Sequence, residues 1–454
     1  MLARSTAACI RPPLALLRAS FPAFVLDVLR TLDGAGYRSW LVGGAVRDLL
    51  LRRKRSASDH DVATPARPDQ VMALFPKVVP TGLEHGTVTV VLQGAPVEVT
   101  TFRGEGAYVD GRRPSSVTFL DEVDEDLARR DFTVNALAYD PVGKAFRDPF
   151  GGRDDLRRGI IRAVGDPAAR FAEDGLRPLR AMRFAAQLDF TLDPATLAAI
   201  PPALSVTSMV SVERIAEELS RLLVAPHARH GLELLAETGL LAVVLPEVAT
   251  TVGPGERDHA FDTVAAAKRD LTIRLAALLH VLAVSEPPAA AARRLRSVLE
   301  RMRLPAQVCE GAAALVLCHD GCLLAPTRAP LPVTDAAARR WLARVSRARA
   351  PALFALWDAD ARAARPLARS RRERALLRAF RARISRLERQ KPPLSVSDLS
   401  LDGRAIMDIL EVPSGPAVGE ALRHLLEWVL EDPRQNTRPS LSAELKSWWR
   451  SRAS

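Results

Sequence analysis

Early in the chain apolar and polar residues alternate with a period of two, and later they recur with the longer period of helices. Residues 22–37 carry helical spacing, and Trp40-Leu41-Val42 reads as a short strand ended by Gly43-Gly44. Thr87-Val88-Thr89-Val90-Val91-Leu92 mixes alternation with an apolar doublet, and Val97-Glu98-Val99-Thr100-Thr101-Phe102 alternates cleanly. Gln93-Gly94-Ala95-Pro96 between them predicts the turn of a hairpin. Residues 104–116 are rich in glycine and charge and read as a mobile loop. From about residue 165 onward the pattern is helical nearly to the end, with prolines breaking it near 286, at 326–332 and at 391–393. An α/β head of roughly 150 residues followed by an all-helical remainder is expected, an α+β chain as a whole.

Length and composition narrow the field. At 454 residues the chain exceeds what one core serves, so two to four domains are expected. It has no run of about 18 uncharged apolar residues, and no membrane association is expected. Cys9, Cys309, Cys318 and Cys322 form no Cys-x-x-Cys pair, which suits a reducing cytoplasm. Cys318 and Cys322 sit one helical turn apart beside His319 and could hold a metal; with no second pair in view, buried apolar thiols are expected instead. Residues Met1–Phe24 contain Arg4, Arg11 and Arg18 and no acid, a composition that an organellar transit peptide shares. The simpler expectation is a basic extension over residues 1–21, ahead of the first helix.

Charge adds a functional hint. The net charge is +11, and Arg362–Lys391 alone holds twelve Lys or Arg against Glu373 and Glu388. Leu377, Phe380, Ile384 and Leu387 mark an apolar helical stripe there, which leaves the arginines facing outward. A solvated face normally interleaves acids, so this run predicts a phosphate-binding surface.

The densest chemistry lies in Leu41-Val42-Gly43-Gly44-Ala45-Val46-Arg47-Asp48, followed by Asp59-His60-Asp61. Gly-Gly after a strand lets backbone N–H groups approach a triphosphate, and Arg47 can pair with its oxygens. On a strand, Asp59 and Asp61 would share one face and His60 the other. Two adjacent carboxylates repel unless a divalent cation lies between them, and oxygen donors suit Mg²⁺. The same pair would also serve in a solvated loop or a helix cap. Glu98, flanked by Val97 and Val99, is the natural third carboxylate, since a lone acid in an apolar strand is costly without a metal or partner. Arg129-Arg130-Asp131-Phe132-Thr133-Val134-Asn135 reads either as a charged helix cap or as a grip in which Asp131 and Asn135 hold a ribose and Arg130 a phosphate. Asp174, Arg177, Arg180 and Arg183 follow one another at three-residue spacing. On one helix they would project from one side as an array of donors and an acceptor fit for base edges.

Together these segments resemble the class II CCA-adding tRNA nucleotidyltransferase and bacterial poly(A) polymerase family, within the DNA-polymerase-beta-like nucleotidyltransferases. The resemblance rests on the Gly43-Gly44 and Asp59/Asp61 segments, Val97–Arg103, Arg129–Ala138, Asp148–Gly152, Glu173–Phe190 and Val210–Leu219, in family order. It runs over roughly residues 40–250 and reappears at 401–437. It implies a head with a mixed sheet and helices over residues 22–160, then an all-α neck (161–250), body (251–392) and tail (393–454). It further implies Asp59 and Asp61 on Mg²⁺, and Gly44 and Arg47 on the triphosphate of CTP or ATP. Arg130, Asp174, Arg177, Arg180 and Arg183 would contact the incoming nucleotide, with Asp174 and Arg177 acting as a protein template for C and A. The expected partner is tRNA, held at its 3′ end, acceptor stem and elbow; no protein partner is expected.

Two departures stand out. Gly175 and Pro178 occupy a stretch where better helix formers are expected, and Pro178 is tolerable only in a first helical turn. Arg274–Val281 resembles the His-Asp hydrolase signature of some relatives, but Val281 stands in the aspartate's place, so only a scaffold is expected there. Alternatives are a poly(A) polymerase, an enzyme adding only CC or only A, and an inactive RNA-binding scaffold.

Overall fold

The computed structural model describes residues 11–53, 60–105, 117–251, 253–284, 286–319 and 331–453. The chain forms two compact units, residues 1–249 and 250–454.

The first unit is built on a seven-stranded mixed sheet. Its strands in chain order are β1 (Trp40–Val42), β2 (Asp61–Thr64), β3 (Val78–Gly82), β4 (Thr87–Leu92) and β5 (Ala95–Thr101). A small separate ribbon follows, β6 (Arg103–Glu105) with β7 (Val117–Phe119), and then β8 (Ala138–Asp140) and β9 (Ala145–Arg147) complete the sheet. The order is β3-β4-β5-β2-β1-β8-β9, and β2 and β5 run parallel with Asp61 opposite Glu98. Trp40, Val42, Ala63, Phe102, Leu127 and Ala138 form part of the head core beneath it.

Three expectations shift. The hairpin turn is Gln93-Gly94 alone, both at positive φ (52° and 78°), and Pro96 already pairs with Val91 in β5. Proline is tolerated there because β2 begins pairing only at Glu98, so the proline's missing N–H removes no bond to β2. Gly104 belongs to β6 rather than to a loop, with residues 106–116 outside the described residues. A two-stranded pairing, Ile160–Ile161 with Thr191–Leu192, also interrupts the helical region expected after residue 165.

The helix over Arg177–Leu188 packs on the helices Val212–Leu223 and Ala228–Glu237. Pro178 stands in its first turn, where a missing N–H costs nothing. Gly175 sits between this helix and Pro167–Glu173, and its carbonyl accepts from Thr207 Oγ1 at 2.8 Å. A Cβ there would meet the Val206 carbonyl oxygen at 2.5 Å. The glycine is therefore a close-packing residue rather than a defect in a helix.

The second unit is helical in its described residues. Trp341, Phe354, Trp357 and Phe380 pack together among three helices, Trp341 and Phe380 edge to face with centroids 4.9 Å apart. The basic helix spans Leu367–Arg389 and buries Leu377, Phe380, Ile384 and Leu387, as its stripe predicts. Leu401, Ile406, Ala421, Leu425, Val429, Leu441 and Leu445 make a separate core near the C-terminus. On the helix Pro416–Glu431, Leu425, Val429 and Leu430 are buried, whereas Leu422 and Leu426 are half-buried. Among the described residues no helix is long and apolar enough to cross a membrane.

Gly175→Ala should destabilise the first unit by about 1–3 kcal/mol, because the backbone at Val206–Thr207 must give way. Urea unfolding measures this, and an unchanged midpoint would mean that the backbone moves aside freely.

Candidate active site

A cavity of about 570 Å³ opens in the first unit, within the range of ligand sites. Eight arginines and four acids line it. Of the expected site residues, Gly44, Arg47, Asp61, Glu98, Arg130, Asp131, Asn135, Asp174, Arg177, Arg180 and Arg183 all reach it. Asp59 lies outside the described residues.

The carboxylate end is made by β2 and β5. As register partners on parallel strands, Asp61 and Glu98 project from the same face of the sheet, and both are exposed to the cavity. Val97 and Val99 point into the core, so Glu98 is not an acid buried among valines, as its neighbours in sequence suggest. Its carboxyl is raised above the ordinary range by partial desolvation and then by the Asp61 charge, with Arg103 opposing. Two carboxylates that resist joint ionisation form a donor pair suited to a divalent cation. His60, just before β2, is buried and takes the opposite side, as expected.

Gly43 leads into the short helix Gly44–Leu50 at φ +65°, and a Cβ on it would stand 2.7 Å from Arg130 Nη1. Only glycine meets both conditions. Arg47, in that helix, donates to Asp48 Oδ1 (2.9 Å) and Asn135 Oδ1 (2.8 Å).

Asp131 is the hub. Its Oδ1 accepts from the Phe132 amide (2.8 Å) and Asn135 Nδ2 (3.0 Å). Its Oδ2 accepts from Arg180 Nε (2.9 Å) and Nη2 (2.7 Å). Burial would raise its pKa, but Arg180 and these hydrogen bonds bring it down to about 2. Both oxygens are thus engaged by protein, which makes Asp131 a positioning group for Arg180 and Asn135 rather than a free grip on ribose. Arg129 and Arg130 are anchored similarly on buried Asp126, at 2.7 and 3.2 Å.

Asp174 departs from the expected helical array. It is an extended residue between two helices and precedes the helix that carries the arginines. Its Oδ1 accepts from the Leu176 amide (3.0 Å), and its Oδ2 from Arg214 Nη2 (2.8 Å). Arg177 is buried, donating to Glu173 and to the carbonyls of Arg170 (2.9 Å) and Arg129 (3.0 Å). Backbone geometry rather than helical periodicity therefore brings Asp174 beside the arginines.

Three contributors are not evident as site residues in the sequence. Glu218 is buried and pairs with Arg183 and, at 3.5 Å, with Arg180. The available signal was an acid on the apolar stripe Ile215, Leu219 and Leu222 of its helix. Arg214 lies with Glu218 in Val210–Leu219, one of the segments that carry the family resemblance, but nothing in its spacing marks it as facing Asp174. Phe184 lies beneath three guanidiniums, those of Arg183 (3.9 Å from the ring centroid), Arg47 (5.2 Å) and Arg180 (5.6 Å). In the sequence Phe184, four residues from Leu188 on the same helix, reads simply as core.

The Asp131 network has a pH signature. Its folded pKa lies below the unfolded value, so its stabilisation is complete above pH ~4 and fades as pH falls toward 2. Asp131→Asn should cost about 2 kcal/mol at pH 7, and its deficit against the wild type should shrink across that window. Paired urea titrations at several pH values check this; a pH-independent gap would assign the loss to packing.

Comparison with known proteins agrees with this geometry. Residues 39–162 match the family described as poly A polymerase head domain. Residues 189–251 match the one described as a probable RNA and SrmB-binding site of polymerase A. The CCA-adding enzyme of Geobacillus thermodenitrificans is 38% identical over 420 residues, covering 92% of this chain and 95% of the relative. That of Geobacillus stearothermophilus is 45% identical over 291 residues, 64% of this chain and 69% of the relative. Among solved structures, the Bacillus stearothermophilus CCA-adding enzyme in complex with CTP matches with a TM-score of 0.76 and 34% identity, over 95% of this chain and 98% of that one. A nucleotidyltransferase head, an arginine-lined cavity and similarity over 92% of the chain to the Geobacillus thermodenitrificans enzyme place the chain in the family of CCA-adding enzymes.

Proposed function

We propose that the protein restores the 3′ end of tRNA, adding C, C and A from CTP and ATP without a nucleic-acid template. Relatives solved with CTP, with ATP and with tRNA support this choice of substrates. The observation that carries the reading is the cavity itself, with paired carboxylates at Asp61 and Glu98 and arginines around them.

The reaction class uses a divalent metal, and the oxygen donors of Asp61 and Glu98, with Asp59, suit Mg²⁺. When bound there, Mg²⁺ would make the terminal hydroxyl of the RNA more acidic and neutralise the departing pyrophosphate. The hydroxyl oxygen forms a bond to the α-phosphorus of the nucleotide while the bond to pyrophosphate breaks, and the hydroxyl proton leaves to solvent. Arg47, Arg130 and the N–H of Gly44 hold the triphosphate in line. Arg180 and Arg183 complete the nucleotide pocket, Asp131 and Asn135 orienting Arg180 and Arg47. Asp174 and Arg177 read the base, a carboxylate and a guanidinium presenting acceptor and donor edges as a pairing base would. To do so Asp174 exchanges its contact with Arg214, and Arg177 its contact with Glu173, for contacts with the base.

In this reading residues 22–160 are the head, 161–250 the neck, 251–392 the body and 393–454 the tail. The basic helix and the tail hold the RNA, and the protein works in the cytoplasm.

Removing Asp61 separates chemistry from binding. Asp61→Ala should lower incorporation by several orders of magnitude and leave tRNA affinity nearly unchanged. Retention of more than a tenth of wild-type kcat, a loss under ~1.4 kcal/mol, would exclude Asp61 from the metal site.

The function itself is tested with tRNAs lacking their last one, two or three nucleotides, given CTP and ATP separately and together. Growth should stop at CCA, with C accepted at the first two positions and A only at the third. Long adenosine tails, made as readily on unstructured RNA as on tRNA, would identify a poly(A) polymerase instead. Arrest after CC, or action only on CC-ended tRNA, would identify a partial enzyme.

A further inference from the structure

Three of the chain's eight histidines meet inside the second unit, far apart in sequence. His259 lies on the helix Pro254–Ala266, His280 follows Leu271–Leu279, and His319 caps Ala306–Cys318. All three face Asp360, which comes from the helix Ala350–Ala363. His259 Nε2 is 2.7 Å from Asp360 Oδ1, His280 Nε2 is 3.8 Å from the same oxygen, and His319 Nε2 is 3.1 Å from Oδ2. The rings are packed with centroids 5.4 Å apart for His259 and His280 and 5.3 Å for His280 and His319. All four side chains are buried. A cluster this polar inside a helical core is costly unless every donor and acceptor is satisfied.

His280 is not satisfied. Its Nδ1 is 2.7 Å from the Ala277 carbonyl oxygen, which makes that nitrogen the N–H donor. In the neutral ring Nε2 is then a bare lone pair, buried, without a hydrogen-bond partner, and facing a carboxylate oxygen that is also only an acceptor. A proton on Nε2 does not cure this, since 3.8 Å is too long for a hydrogen bond. A cation between the two atoms does. One donor atom each from His259, His280 and Asp360 lie within 4.8 Å of one another. Metal–ligand bonds of about 2.0–2.2 Å bring such atoms to a common ion after a small contraction.

We propose that His259, His280 and Asp360, with His319 as the fourth group, form a buried site for a single transition-metal ion, with Zn²⁺ the best match to three imidazoles and one carboxylate. Loading releases the Nε2 protons of His259 and His319 to solvent, and the freed lone pairs then join the ion in place of their contacts with Asp360. Burial of all four groups makes this a structural site that ties four helical elements together. Val281 supplies no carboxylate for a second ion, so a two-metal hydrolytic centre does not form.

The test uses the full chain, stripped with a chelator, then loaded with zinc and washed. The wild type should retain one zinc per chain by elemental analysis, and Asp61→Ala should retain the same amount, which separates this site from the head carboxylates. Zinc should raise the unfolding temperature, and cobalt(II) in its place should give the visible absorption of a low-symmetry nitrogen-rich site. His280→Ala should weaken zinc retention by at least ~100-fold. Equal zinc retention in His280→Ala and wild type overturns the proposal. So does a wild type that keeps no zinc, shows no cobalt band and unfolds at the same temperature with or without metal; those wild-type readouts stand even if the variant fails to fold.

Discussion

A carboxylate removed from water must be compensated, and in the first unit nearly every other site feature follows from how Asp131 is compensated. Arg180 supplies two donors to one oxygen, and Asn135 with the Phe132 amide supplies two to the other. Asn135 then uses its own oxygen to hold Arg47. One buried charge thereby joins the loop after Arg130, the helix of arginines and the helix after Gly43 into a single framework. Losing one partner would leave a buried charge uncompensated, a large penalty. Arg180 and Arg47 are thus fixed before any substrate arrives, which suits groups that must hold a nucleotide in line without moving themselves.

The same logic governs the arginine excess. Eight guanidiniums around one cavity would repel one another strongly without Asp126, Glu173 and Glu218 behind several of them. Phe184 spaces three of them apart and offers its ring face to each. At the other end Asp61 and Glu98 stand side by side on one face of the sheet, and the Asp61 charge helps to hold the Glu98 carboxyl above its ordinary range against the pull of Arg103, a pairing that suits a divalent cation. Polarity is therefore divided within one cavity, anion-attracting on one wall and cation-attracting on the other, as transfer of a nucleotide from its triphosphate requires.

The second unit solves the burial of polar groups differently. The Arg339 side chain reaches the last carbonyls of the helix Pro416–Glu431, at Leu430 (2.6 Å) and Glu431 (2.5 Å), and so closes a helix end that would otherwise lack donors. Around Asp360 the donors are imidazoles. Arg374, Arg383 and Arg386 of the basic helix pair with Asp358 and Asp335 at the surface, contacts that salt weakens and that phosphate oxygens can replace.

Local pattern was enough for the elements and the family. Alternation read out the β4–β5 hairpin, Gly43-Gly44 the strand end, and the apolar stripe the basic helix, because each depends on residues a few positions apart. Motif order singled out Arg47, Asp61, Glu98 and the arginines of 177–183, and the structure brings all of them to one cavity. Only the tertiary structure decided what each charge faces. Asp174 reached the arginines through an extended junction rather than a shared helix, Glu98 proved to lie on the open face of its strand, and Glu218 and Arg214 entered the site from a helix some forty residues downstream. His259, His280, His319 and Asp360 carry no joint signal along the chain, because their meeting depends on the packing of four helical elements. Periodicity records which side of an element is buried, and it holds no record of which distant group comes to rest against it.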